Sequence, residues 1–127
     1  MDNPITVYKL VRNDNGHLCS LAAPGKWQIV YEPGTWKRGY AGSKLFAVSH
    51  ADLACQYGKI ERDRFRPVEV WEALAKEVEE LCRFLTMDRS RWEAFWSGVN
   101  TGLWHNPPAG TILVGQIKLV RKIWPED

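Results

Sequence analysis

The spacing of apolar and polar positions changes several times along the chain, and each change marks an element. Residues 5–12 (ITVYKLVR) are rich in β-branched and aromatic side chains and predict a first strand, which Asn13-Asp14-Asn15-Gly16 stops with strong turn chemistry. Residues 27–31 (WQIVY) predict a second strand, closed by Pro33-Gly34. Residues 35–43 set Trp36, Lys37, Arg38 and Tyr40 among glycines and read as a loop open to a ligand. A short apolar strand over 45–48 runs into Ser49, which is placed to cap a helix over 49–57 with Asp52 three positions on. Gly58 would end that helix, and residues 59–66 read as a charged link.

Residues 68–73 (VEVWEA) alternate, with Val68, Val70 and Glu72 on one side and Glu69, Trp71 and Ala73 on the other. From Leu74 the period lengthens. Leu74, Val78, Leu81, Cys82 and Leu85 form the single apolar stripe of an amphipathic helix, with Lys76, Glu77, Glu79 and Glu80 opposite. Ser90 is placed to cap a second helix carrying Trp92, Phe95, Trp96 and Val99. After Pro107-Pro108-Ala109-Gly110, residues 111–123 predict one or two strands broken at Gly115. The expected fold is therefore α+β: a small twisted mixed or antiparallel sheet of about five strands, one packed helix, and a helical insert over residues 74–106 before the last strand or strands.

Composition narrows this picture. The 127 residues are 45% apolar and 25% charged, which predicts one domain over 1–127 that needs neither metal nor disulfide to fold. The net charge of +2 does not call for nucleic acid, but Lys37, Arg38 and Lys44 beside Trp36 and Tyr40 would make a weak basic-aromatic patch for phosphate or a single strand. No apolar run approaches the roughly 18–20 residues a bilayer helix needs, and the Met1-Asp2-Asn3-Pro4 start is unlike a secretory leader. The expectation is a cytoplasmic protein that does not touch membranes. Cys19, Cys55 and Cys82 form no close pair, which fits a reducing compartment. His17, His50 and His105 are far apart, so no metal set is expected. The sequence holds no phosphate-binding loop, dinucleotide fingerprint, zinc-protease motif or nucleophile elbow.

Several runs together carry a resemblance. They are Tyr8-Lys9-Leu10-Val11-Arg12, Trp27 with Tyr31 and Gly34, Leu45-Phe46 with Ser49 and Ala54, Val68-x-Val70-Trp71-Glu72, Ala109-Gly110-Thr111-Ile112-Leu113, and residues 117–123. As an ordered set they resemble a small, mostly uncharacterised domain of bacteriophage and bacterial proteins. That resemblance implies phage-type biology within a bacterial host cell and brings no activity with it.

A fainter similarity is to the ADP-ribosyltransferase-like fold, where a strand also leads into a serine and a short helix ending in tyrosine, here residues 45–48, Ser49 and Tyr57. It implies an NAD or nucleotide cleft lined by Tyr8, Arg12, Tyr31, Ser49, Tyr57 and Glu72. The glutamate that superfamily places on its penultimate strand has no counterpart here, since no acid occurs between Asn106 and Pro125.

Seven tryptophans are the compositional anomaly. Trp27 and Trp71 are expected in the core. Trp92, Trp96 and Trp104, with Arg89 and Arg91, have the chemistry of interface anchors. The leading expectation is a small protein that binds a host or phage protein, for instance as an inhibitor of a host defence system, with no chemistry or cofactor of its own. An NAD-using transferase is the alternative. The sequence leaves the partner and the oligomeric state open.

Overall fold

The first strand, β1 (Ile5–Asp14), is where the sequence predicts it, and it alternates: Val7 and Val11 are fully buried on one side, with Tyr8, Leu10 and Arg12 on the other. In the computed structural model the described residues are 3–21, 28–39, 43–62, 67–80, 84–85, 104–105 and 109–125. The Asn13–Gly16 turn does more than stop β1. Asn15 and Gly16 both adopt left-handed backbone angles (φ 53° and 90°), the geometry that reverses a twisted hairpin, and the Asn13 Oδ1 accepts the Gly16 N–H at 2.7 Å. The chain returns at once as β2 (His17–Ser20), paired with Val11–Asp14. The expected strand over 27–31 contracts to β3 (Val30–Tyr31), which pairs with β2. Ile29 ahead of it donates its N–H to the Ser20 Oγ at 2.9 Å. Trp27 lies outside the described residues.

The remaining elements are β4 (Lys37–Arg38), β5 (Leu45–Val48), α1 (Ala51–Glu61), β6 (Val68–Lys76), β7 (Glu79–Glu80), β8 (Phe84–Leu85), β9 (Trp104–His105), β10 (Thr111–Val114) and β11 (Gln116–Trp124). Apart from the β8–β9 pair they form one antiparallel sheet, with helix α1 laid against it. Ile112 and Leu113 of β10 face Glu80 and Glu79 of β7; Gln116 and Ile117 of β11 face Lys76 and Ala75 of β6. The same register thus runs through both pairs. β10–β11 and β6–β7 act as two long strands, each bent once: at Gly115, and at Glu77, whose φ is 58°. The Gly115 N–H reaches the carbonyls of Lys76 and Glu77 at the bend.

This continuity closes the sheet. β10 pairs with β5, β5 with β1 (Tyr8 opposite Val48), β1 with β6, and β6 runs on through β7 to β10 again. At its other end β1 leaves β5 for β2. There a wider ring forms through β2 and β3, and the Gly34 N–H donates to the Leu119 carbonyl of β11 at 2.9 Å.

The ring is filled by Val7, Val11, Leu45, Ala47, Ala73, Ala75, Val114, Ile117 and Leu119, with Leu18 and Tyr31 toward the wide end. The outer face carries a second cluster, in which Val48, Ala54 and Val70 pack with Tyr8, Leu10, Leu53, Tyr57, Ile123 and Trp124 under α1. The helix differs from its expected limits at both ends. Its N-cap is His50 without a side-chain capping bond, and the Ser49 hydroxyl bonds the His50 Nδ1 at 2.7 Å instead. It runs through Gly58 to Glu61, so the expected link starts as helix. Gly58 is buried in the helix–sheet contact rather than ending the helix: a Cβ there would lie 3.0 Å from the Trp124 ring and from Val70.

The helical insert needs correction where it is described. Residues 74–76 continue β6, 79–80 form β7, and Phe84–Leu85 pair with Trp104–His105 as strands. Ala73 and Ala75 are fully buried opposite Leu119 and Ile117, and hydrogen-bonded neighbours flank β6 on both edges. That two-residue alternation overrides the helical stripe begun at Leu74, because a strand bonded on two sides satisfies its whole backbone. Alanine adds little to an apolar pattern, so the stripe of larger residues dominated the sequence. The expected helix with Trp92, Phe95 and Trp96 lies outside the described residues. Among the described residues no helix is long and apolar enough to cross a membrane.

Candidate functional site

The wide end of the ring opens on a cleft of about 740 Å3, whose polar and aromatic walls are Asn13, His17, Tyr31, Glu69, Trp71 and Lys122. Strand register explains the convergence. Glu69 stands opposite the inward-facing Val11, Tyr31 opposite Leu18, and Lys122 opposite Trp71. Each is an inward position on its strand, carried one step beyond the packed interior. Asn13 and His17 come from the two sides of the β1–β2 turn. Val30, Pro33 and Glu32 complete the rim, with the Glu32 carboxylate 3.6 Å from the Lys37 ammonium.

Glu69 is the fixed point of the cleft. Its Oε2 accepts the Asn13 side-chain amide at 2.8 Å and its Oε1 accepts the Trp71 indole N–H at 2.9 Å. Both donors are neutral, and together they set the plane of the carboxylate. Each oxygen keeps a second lone pair for another donor.

Beneath the cleft floor lies an unusual pair. Lys9 occupies an inward position of β1 between Val7 and Val11 and is only 8% exposed. Its ammonium donates to the Phe46 carbonyl and sits 5.8 Å from the centre of the Tyr31 ring. Burial pulls its pKa from 10.5 down to about 8. Burial also pushes the Tyr31 phenol well above its ordinary range, and its hydroxyl is buried with no hydrogen-bond partner among the described residues.

The residues expected to line a nucleotide cleft fall on two sides of the sheet. Tyr8 stands opposite both Val48 and Glu72, on the face that carries α1. Tyr57 on α1 donates its hydroxyl to the Ala109 carbonyl, and the Ser49 N–H bonds Gly110 at 2.8 Å. Glu72 accepts the Arg121 Nε at 2.9 Å, a bond that raises the Arg121 pKa further. Arg12 alternates with the buried Val11 and so shares the outer face of β1. Tyr31 faces the ring interior and does not join the others.

The expected basic patch is largely offset by acids. Lys37 lies 3.6 Å from Glu32, Arg38 3.3 Å from Glu77, and Lys44 3.6 Å from Glu79. Trp36 instead has Lys76 and Lys118 against its ring, at 4.5 and 5.2 Å from the centre. Trp71, expected in the core, is half-buried and packs on its edge. Of the expected partner-binding residues, Trp104 stands in β9 opposite Leu85, and Arg89, Arg91, Trp92 and Trp96 lie outside the described residues. Among the described residues no three His, Cys, Asp or Glu side chains converge as metal ligands, and neither Cys19 nor Cys55 is in a disulfide.

Lys9, Asn13 and Lys122 were not singled out from the sequence. For Lys9 the signal was present: the Val7-x-Lys9-x-Val11 alternation puts it on the buried side of the strand. Comparison with family models, with curated proteins and with solved structures finds no match to this chain, so the assignment of function rests on its own residues.

Proposed function

We propose that the chain is a small phage-type protein that works by binding a host or phage protein inside the bacterial cell, with no chemistry of its own; an inhibitor of a host defence system is the role it fits best. The β8–β9 pairing supports this reading. Leu85 and Trp104 stand opposite each other, so the two ends of the run between them are paired. That run carries Arg89, Arg91, Trp92 and Trp96, the residue types that dominate binding energy at protein interfaces. β7, ahead of that run, and β10, after it, are also paired with each other.

The test replaces residues 86–103 by an Asn-Gly turn and compares this variant and Trp96→Ala with the intact chain. Each is used as bait in lysate of the bacterial host, with proteomic identification of what is retained. The intact chain is expected to hold one protein in stoichiometric amount, and both variants to lose it while unfolding at an unchanged temperature. Retention of the same protein by the shortened variant would exclude the proposal.

A further inference from the structure

The outside of the ring is not uniform. Leu74 and Glu72 of β6 alternate with the buried Ala73 and Ala75, so they and Lys76 point outward. Across the strand pair, Lys118 stands opposite Leu74, Gln116 opposite Lys76 and Arg121 opposite Glu72. At one end of this face Val70 and Trp124 lie under α1. At the other, Trp36 has the Lys76 ammonium 4.5 Å and the Lys118 ammonium 5.2 Å from its ring centre. One half-buried indole therefore holds two cations from neighbouring strands close to one another. Acids of the same stretch are engaged elsewhere: Glu72 with Arg121, Glu77 with Arg38 and Glu79 with Lys44. Like charges held together repel, and the ring offsets only part of that cost. A ligand with repeated negative charges offsets the rest.

We propose that this outer face, with Lys76 and Lys118 beside Trp36, binds the phosphate backbone of a single-stranded nucleic acid. Shape favours a single strand over a duplex. The face lies on the outside of a closed ring and is convex, so a flexible strand can follow it, whereas a straight duplex touches it at one place. Chemistry agrees: lysines around an aromatic ring on a sheet suit an unpaired strand, while a duplex is read by a helix or β-ribbon inserted in its groove. Lysine ammoniums meet phosphate as point charges and read no base, so the binding is weak and independent of sequence. The basic-aromatic site expected at Lys37, Arg38 and Lys44 thus keeps its tryptophan and changes its lysines. Neither residues 86–103 nor a captured protein enters this argument, so its failure leaves the partner-binding proposal standing.

The test is fluorescence-anisotropy titration of the full chain with a labelled single-stranded oligothymidylate of about 12 nucleotides, repeated over a series of salt concentrations. Saturable binding is expected at low salt. Log K should fall against log salt with a slope of about −1.4, since each neutralised phosphate of a single strand contributes about −0.7. Lys76→Gln and Lys118→Gln should each shallow the slope by about 0.7 and weaken binding several-fold, at an unchanged melting temperature. Lys44→Gln removes the same charge from an ammonium paired with Glu79 and should change both quantities less. A duplex of the same length and a polyglutamate of matched charge serve as competitors. No saturable binding at low salt, a slope untouched by both lysine variants, or an equal effect from Lys44→Gln would each overturn the proposal. So would competition by the duplex or the polyglutamate as strong as that by the unlabelled single strand.

Discussion

Gly58 of α1 lies so close to Trp124 of β11 that a Cβ on it would stand 3.0 Å from two carbons of the indole ring. Gly58→Ala should therefore destabilise the protein by about 1 kcal/mol. The estimate sets an overpacking cost of roughly 1–3 kcal/mol against about 1 kcal/mol gained in helix propensity. In a Trp124→Ala background the ring contact is gone and only the Val70 contact at 3.0 Å remains, so the same substitution should cost less. Urea denaturation of the four proteins measures the coupling; additive effects would show that the helix can shift to accept the methyl group.

Lys9 gives a pH signature. Its pKa falls from 10.5 to about 8 on folding, so between those values the unfolded chain binds more protons and stability from this group rises with pH. Below pH 8 the burial penalty is present in full, on the order of 3 kcal/mol. Tyr31 acts in the opposite sense above about pH 10: its phenol is raised by burial, so the folded state holds a proton that the unfolded state gives up. Lys9→Met should raise stability at pH 7 by about 1–3 kcal/mol, with the advantage shrinking between pH 8 and 10.5. Thermal melts of both proteins across this range check it; a constant difference would mean the ammonium is not the cause.

Ala75 distinguishes the strand from the helical stripe that the sequence suggests. It is fully buried opposite Ile117. Ala75→Leu should cost roughly 1–3 kcal/mol through overpacking of the ring interior. On an amphipathic helix with Leu74 and Val78 facing inward, the same change would be nearly neutral. Chemical denaturation decides between the two.

Gly16 carries the β1–β2 reversal at φ 90° with open space around it, so any loss on substitution is conformational rather than steric. Gly16→Ala should cost about 1 kcal/mol, and Gly16→Val more. Asn13→Ala should cost a similar amount, since it removes the bond to the Gly16 amide and releases one side of Glu69. The indole N–H signal of Trp71 should shift in the Asn13 variant, while its fold is retained.

The strands were legible wherever large side chains carried them. Residues 5–12 and the alternation of Glu69, Trp71 and Ala73 both read correctly from the sequence, and the second already placed the carboxylate and the indole of the cleft on one side. Two stretches built from small or few residues were not legible. β2 is four residues with one large apolar side chain, hidden behind a turn that reads as a stop. β6 is prolonged by alanines, whose burial reflects a close approach of β1 and β11 rather than their own hydrophobicity. Cleft formation was invisible for a different reason. Asn13, Glu69 and Lys122 meet only because three strands end together at the wide ring, and that depends on register between distant segments.

Ring closure through two shared bent strands has a consequence for the behaviour of the chain in solution. An open sheet ends in a row of unpaired amides and carbonyls that can recruit another molecule edge to edge. In this protein β1, β5, β6–β7 and β10–β11 each have a hydrogen-bonded neighbour on either side. No strand of that ring can be peeled away without breaking two ladders, so the four should exchange their amide hydrogens together, and templated self-association should begin only after the ring has opened.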